Sequence, residues 1–186
     1  MKINEFRFIE KNENFIEKKF VNWSRCYEWG YVLSIINNLE NKTIHNTCAG
    51  PGEIHKSFHD ELNKTNNKIY NSDIFETNVN KNFTNFFKYN ILEKNKQKYD
   101  LVLCISTLEE IDQNHLEDGF NNLLNQVNKH GRLIITCDYP GANIEKLESI
   151  IGLKCKDSNN RLNGLNSVHK QPEYSHLNVI LIDITK

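Results

Sequence analysis

HNTCAGPGEIH, residues 45–55, sits where one periodicity gives way to another. The residues leading into it, KTIHNT (42–47), read as a short strand. Those leading out, EIHKSFHDEL (53–62), put Ile54, Phe58 and Leu62 at i, i+4 and i+8, one apolar stripe on a helix. The Gly-Pro-Gly between them therefore turns a strand into a helix. Glycines there let a ligand approach the backbone with no Cβ in the way. In open α/β sheets, the first such turn is where a ligand is held.

On both sides of this turn the chain alternates. NKIYNSDI (67–74) reads as a second strand that ends at Asp73, and NFFKYNIL (85–92) as a third. YDLVLCIS (99–106) is a nearly continuous apolar run, the mark of a parallel strand covered on both faces. DQNHLEDGFNNLLNQVNKHG (112–131) carries Leu116, Phe120, Leu123, Leu124 and Val127 on one helical face, with Gly131 as its stop. RLIITCDYPG (132–141) is another strand, NIEKLESIIG (143–152) a short helix and SHLNVILIDITK (175–186) a final strand. Upstream, residues 14–39 read as helix through Phe15, Phe20, Trp23, Tyr27, Tyr31 and Ile35, with Gly30 as a break. The polar stretch 156–174 reads as a loop. Strand and helix in alternation predict a doubly wound, mostly parallel α/β sheet.

Composition narrows the function. The net charge is −1 with 25% charged residues, so no field draws nucleic acid, and EKNKQK (93–98) is too short to form a basic, aromatic-interleaved stripe. No apolar run reaches the length of a membrane span, and MKINEFRFIEKNENF is too charged for a secretory signal, which points to a cytoplasmic protein with no membrane partner. Five widely spaced cysteines without a CxxC argue against disulfides or zinc. His55 and His59 stand at i, i+4, a spacing that binds zinc, but no third ligand or HExxH accompanies them, so no metal is expected. The turn lacks the Lys-Ser/Thr of a P-loop, and where a dinucleotide fingerprint has its third glycine it has His55. Asp73 lies about twenty residues past the turn, the spacing at which a second-strand acid accepts hydrogen bonds from ribose hydroxyls.

In order, NTCAGPGEI, IYNSDI, KYDLVLCISTLEEI and LLNQVNKHGRLIITCDYPG resemble the successive motifs of class I S-adenosylmethionine-dependent methyltransferases. NWSRCYEWGYVL resembles a helix that precedes the first motif in bacterial members which accompany surface-sugar genes. The resemblance spans roughly residues 20–186. It implies a seven-stranded Rossmann-like sheet with an N-terminal helical extension. The chain then reads as one domain, with a lid at 1–40 and an α/β core at 41–186.

The resemblance also implies roles. S-adenosylmethionine would be held by Asn46, Cys48, Ala49, Gly50 and Gly52 at the turn, by Asp73 and Ile74 after the second strand, and by Asn90, Ile105 and Ser106. Arg25 would take its carboxylate. The acceptor would be a small molecule, with a sugar or surface-polysaccharide precursor as the suggested class. It would lie near Glu109 and Glu110, candidate proton acceptors, and near Tyr139, His169 and Tyr174. Asn46 and Cys48 depart from the family's acid and first glycine, and Glu110 stands where a His is common. These departures keep two alternatives in view: a degenerate member that binds an adenosyl ligand for other chemistry, and a silent module that acts through a partner.

Overall fold

Seven strands and four helices follow one another in the computed structural model, which describes residues 1–10, 13, 14, 16, 24–157, 159–161 and 177–186. The strands are β1 (Lys2–Phe8), β2 (Thr43–Thr47), β3 (Lys68–Asp73), β4 (Phe86–Lys88), β5 (Tyr99–Ile105), β6 (Val127–Tyr139) and β7 (Asn178–Thr185). The helices are α1 (Arg25–Ile36), α2 (Glu53–Leu62), α3 (Leu116–Asn125) and α4 (Ile144–Ile151). No helix among the described residues is long and apolar enough to cross a membrane.

The strands form one sheet in the order β1-β7-β6-β5-β2-β3-β4. Neighbours from β6 to β4 run parallel, while β7 is antiparallel to both β6 and β1. The central strands are apolar along their whole length because both faces are covered. On β5, Leu101, Leu103 and Ile105 pack with Val32, Ile36, Phe58 and Leu62 of α1 and α2. Its alternate residues Val102 and Cys104 pack with Leu116, Phe120 and Leu123 of α3 on the other side. β7 divides the same way: Val179 and Leu181 join the first layer, Ile180, Ile182 and Ile184 the second. The doubly wound sheet expected from the alternation is the observed one.

Four local expectations need correction. The seventh strand is the N-terminal segment KINEFRF, which the periodicity did not mark. A register shift between Ile3 and Glu5 resets its alternation, so Ile3, Phe6 and Phe8 all reach the α3 layer despite unequal spacing. Gly30 does not break a helix; it lies inside α1, where an added Cβ would stand 1.5 Å from the Asn14 carbonyl oxygen, so glycine lets the chain cross the helix there. The remainder of the helix read over 14–39 falls largely outside the described residues. Gly131 does not stop α3, which ends at Asn125. It lies within β6, where a Cβ would meet the Asp100 carbonyl at 2.9 Å. Of the third strand read over 85–92, only Phe86–Lys88 pairs, because β4 is an edge with one neighbour.

Candidate functional site

The C-terminal ends of β2, β3 and β5 open into a cleft of about 740 Å³. Every residue assigned to the cofactor from sequence lines it except Gly52: Arg25, Asn46, Cys48, Ala49, Gly50, Asp73, Ile74, Asn90, Ile105 and Ser106. Gly52 instead caps the N-terminus of α2. His169 and Tyr174 lie outside the described residues.

The turn is held by Asp73. Its Oδ2 accepts the Gly50 N–H at 2.9 Å and its Oδ1 accepts the Phe75 N–H at 2.9 Å. The carboxylate thus locks the loop after β2 to the loop after β3. Gly50 has φ +83, a left-handed conformation that suits glycine. Cys48 and Ser106 share that region, with φ +53 and +42, although neither is glycine. Strained non-glycine residues of this kind concentrate at functional sites. Each directly follows a central strand, β2 or β5, and both line the cleft.

Asn46 is buried and donates through Nδ2 to Asn71 Oδ1 at 3.0 Å. Asn90 Oδ1 accepts the Leu92 N–H at 3.0 Å, which shapes the loop on that side of the cleft. Apolar side chains rim the mouth: Ile74 is 46% and Phe75 65% exposed, unusual for residues of their size.

Helix α1 closes the cleft from above through one buried acid. Glu28 is fully buried. Its Oε2 accepts from Arg25 Nη1 at 2.6 Å, and its Oε1 from Ser106 Oγ at 2.5 Å and Thr136 Oγ1 at 2.6 Å. This acid was not picked out as a site residue. The only hint was its place in WSRCYE, three residues after Arg25. Burial opposes the charge of Arg25, yet the carboxylates of Glu28, Asp138 and Glu109 hold its pKa above the ordinary value.

Beside this pair lies a second acidic group. Glu109 Oε1 accepts the Asp138 N–H at 2.8 Å, while Glu109 Oε2 and Asp138 Oδ1 are buried with no hydrogen bond. Burial pushes Glu109 up to about 8 and Asp138 up to about 7, with Glu28 adding repulsion to both. Glu109 does not line the cleft, whereas its neighbour Glu110 does and is exposed. Tyr139 does not line it either; its ring packs edge-on against Phe8, with centroids 5.4 Å apart.

His55, set aside as a zinc ligand, lines the cleft. His59, four residues on, is turned to other work, accepting the Thr84 N–H at 2.8 Å and stacking on Phe83. Sequence periodicity could not separate the two, because i, i+4 spacing gives one face but not its contacts.

No protein-family model and no curated protein sequence matches the chain. Solved structures do. A 1,6-didemethyltoxoflavin-N1-methyltransferase from Burkholderia thailandensis, crystallised with S-adenosylhomocysteine, superposes with a TM-score of 0.57 at 13% identity, over 86% of this chain and 78% of that one. An S-adenosylmethionine-dependent methyltransferase from Clostridium acetobutylicum gives 0.57 at 12% identity, over 89% and 93%. The [4+2]-cyclase SpnF gives 0.58 at 9% identity, over 95% and 88%. The sheet order, the antiparallel β7 and these superpositions together establish that this chain has the fold of the class I S-adenosylmethionine-dependent methyltransferases.

Proposed function

We propose that this chain transfers a methyl group from S-adenosylmethionine to a small-molecule acceptor. The observation that carries the reading is the cleft itself, which brings Asp73, the Gly50 backbone, Asn90 and Arg25 together at the strand ends. These residues fit the ligand. A ribose needs acceptors for two hydroxyls. Each Asp73 oxygen has taken one N–H and keeps further lone-pair capacity. An adenine needs an apolar slot, and Ile74, Phe75 and Ile91 offer one beside the Asn90 amide. A carboxylate needs a cation, and Arg25 is the one from α1.

S-adenosylmethionine, when bound, supplies an electrophilic methyl on a leaving group that is already activated. The work left to the protein is to orient both reactants and to accept the acceptor's proton where one must leave. Glu110, open to the cleft, is one candidate for that proton. Glu109 is left out of that role because it does not line the cleft. We assign the acceptor to the sugar or surface-polysaccharide precursors on the strength of the WSRCYE stretch, part of which is the Arg25–Glu28 turn against the cleft. Tyr139 is left out of the acceptor site because Phe8 takes its ring.

A second reading keeps the adenosyl ligand and drops methyl transfer. In its favour are the neutral Asn46 and the His55 imidazole packed on Gly50, together with a cyclase that shares the fold.

Calorimetric titration with S-adenosylmethionine and S-adenosylhomocysteine tests the ligand. Binding in the wild type and a loss of tenfold or more in Asp73→Ala supports the cleft. No binding of either up to millimolar concentration overturns the proposal. Product analysis with a bound-competent protein then separates methyl transfer from the second reading.

A further inference from the structure

His55 occupies an unusual position. A Cβ built on Gly50 would lie 2.2 Å from His55 Cδ2, 2.3 Å from Cγ and 2.5 Å from Nδ1. The three ring atoms are almost equally far from that point, so the face of the imidazole covers Gly50. Nδ1 is buried without a full hydrogen bond, beside the Gly52 backbone, which favours a proton there. That tautomer leaves Nε2 with its lone pair.

The same ring stands against α1. Trp29 and His55 are 6.3 Å apart between centroids at 63°. Arg25 lies one turn before Trp29 on that helix, and all three residues line the cleft. Arg25 and His55 are thus a donor and an acceptor on one wall. Burial and the Arg25 charge both lower the proton affinity of His55, so the imidazole stays neutral. Of the acids around the cleft, Asp73 holds two backbone N–H groups and Glu28 is bound by Arg25, Ser106 and Thr136, while Glu110 and Asp112 line it on the side that follows β5.

An α-amino acid carries its carboxylate and its ammonium on a single carbon, so whatever binds one must stand next to whatever binds the other. We propose that Arg25 and His55 form a clamp for the amino-acid end of the adenosyl ligand, with the guanidinium on the carboxylate and His55 Nε2 accepting from the ammonium. This rests on the S-adenosylmethionine reading and assigns His55 as a specificity-determining residue of that site. It also gives the departure at Asn46 a counterpart: an acceptor lost as an acid on β2 is supplied as an imidazole on α2.

The test is the calorimetric affinity of S-adenosylhomocysteine and of 5′-methylthioadenosine, which lacks the amino-acid end. Both are measured on the wild type, His55→Phe, which keeps a ring without an acceptor, and His55→Gln, which keeps an acceptor. The clamp predicts that His55→Phe weakens S-adenosylhomocysteine tenfold or more and leaves methylthioadenosine within twofold. His55→Gln should recover most of the loss. Unchanged or tighter S-adenosylhomocysteine binding in His55→Phe overturns the clamp, as does an equal loss for both ligands, which would mark His55 as a prop for the turn. Wild-type binding of methylthioadenosine without S-adenosylhomocysteine overturns the clamp and spares the adenosyl cleft. Absence of both overturns it together with the reading beneath it.

Discussion

At the scale of single residues, the cleft is built on backbone conformations that its side chains do not favour. Cys48 sits at φ +53, where a Cβ crowds the backbone and the cost is about 1–2 kcal/mol for an L-residue. Its side chain is only partly buried against the core, so little packing offsets that strain. Cys48→Gly should therefore raise stability by about 1 kcal/mol in urea denaturation, net of the added freedom of glycine in the unfolded chain. A destabilised variant would mean that the thiol's packing outweighs the strain. The positive φ at Cys48 and at Ser106 was not legible in sequence, because neither residue type announces a left-handed backbone. Gly50 was legible for the opposite reason: glycine beside proline is an explicit turn signal.

Among the elements, β1 shows how a strand escapes periodicity. Its bulge puts three apolar side chains on one face at spacings of three and two, which matches neither template. What fixes β1 and β7 beside β6 is a buried acid. Asp183 is fully buried and accepts from Arg132 through both carboxylate oxygens, from Tyr31 Oη at 3.1 Å and from Asn4 Nδ2 at 3.0 Å. One side chain thereby joins β1, β7, β6 and α1. Arg132→Ala would strand that charge and should destabilise the fold by about 3–5 kcal/mol, read as a lowered urea midpoint. Adding Asp183→Asn to it should restore part of the loss; a double variant no better than Arg132→Ala would place the effect in the arginine stem instead. Asp183 read as one polar residue in an apolar strand, and its partners are 51, 152 and 179 residues away, beyond any local pattern.

The molecule as a whole carries opposed titrations. Glu109 and Asp138 have folded pKa values raised to about 8 and about 7, above the ordinary 4.5 and 3.8, chiefly by burial. A raised value contributes stability that is fully present below the unfolded pKa and is lost as pH climbs through the folded one. His45 works the other way. Fully buried, with Nδ1 on Gln126 Oε1 and Nε2 on Ser72 Oγ, each at 2.8 Å, it is pushed down to about 4 from the ordinary 6.5. Its contribution is intact above 6.5 and is lost as pH falls toward 4. Between pH 4.5 and 6.5 two acids lose stability with rising pH while one histidine gains it, so the net contribution of these groups should fall from pH 5 to pH 8, more steeply once His45 no longer offsets it above 6.5. Urea denaturation at pH 5, 6.5 and 8 checks this. Glu109→Gln should flatten the alkaline decline by on the order of 2 kcal/mol, and an unaltered decline would show that Glu109 does not cause it.

The sheet class and most of the cleft are legible in the order of residues along the chain. Alternating runs fix which segments are strands, and a glycine turn after the first with an acid after the second marks the strand ends that must converge in a parallel sheet. Asp73 and Gly50 stand out that way, Asn90 and Arg25 through the family resemblance, and the cleft unites all four. The rest follows from how the elements pack: that residues 2–8 complete the sheet, that Glu28 ties α1 to β6 and to the residue after β5, and that His55 lines the cleft while His59, one turn on, does not. Periodicity reports which residues share a face of one element. What that face meets depends on elements brought from distant parts of the chain, and this is set by packing.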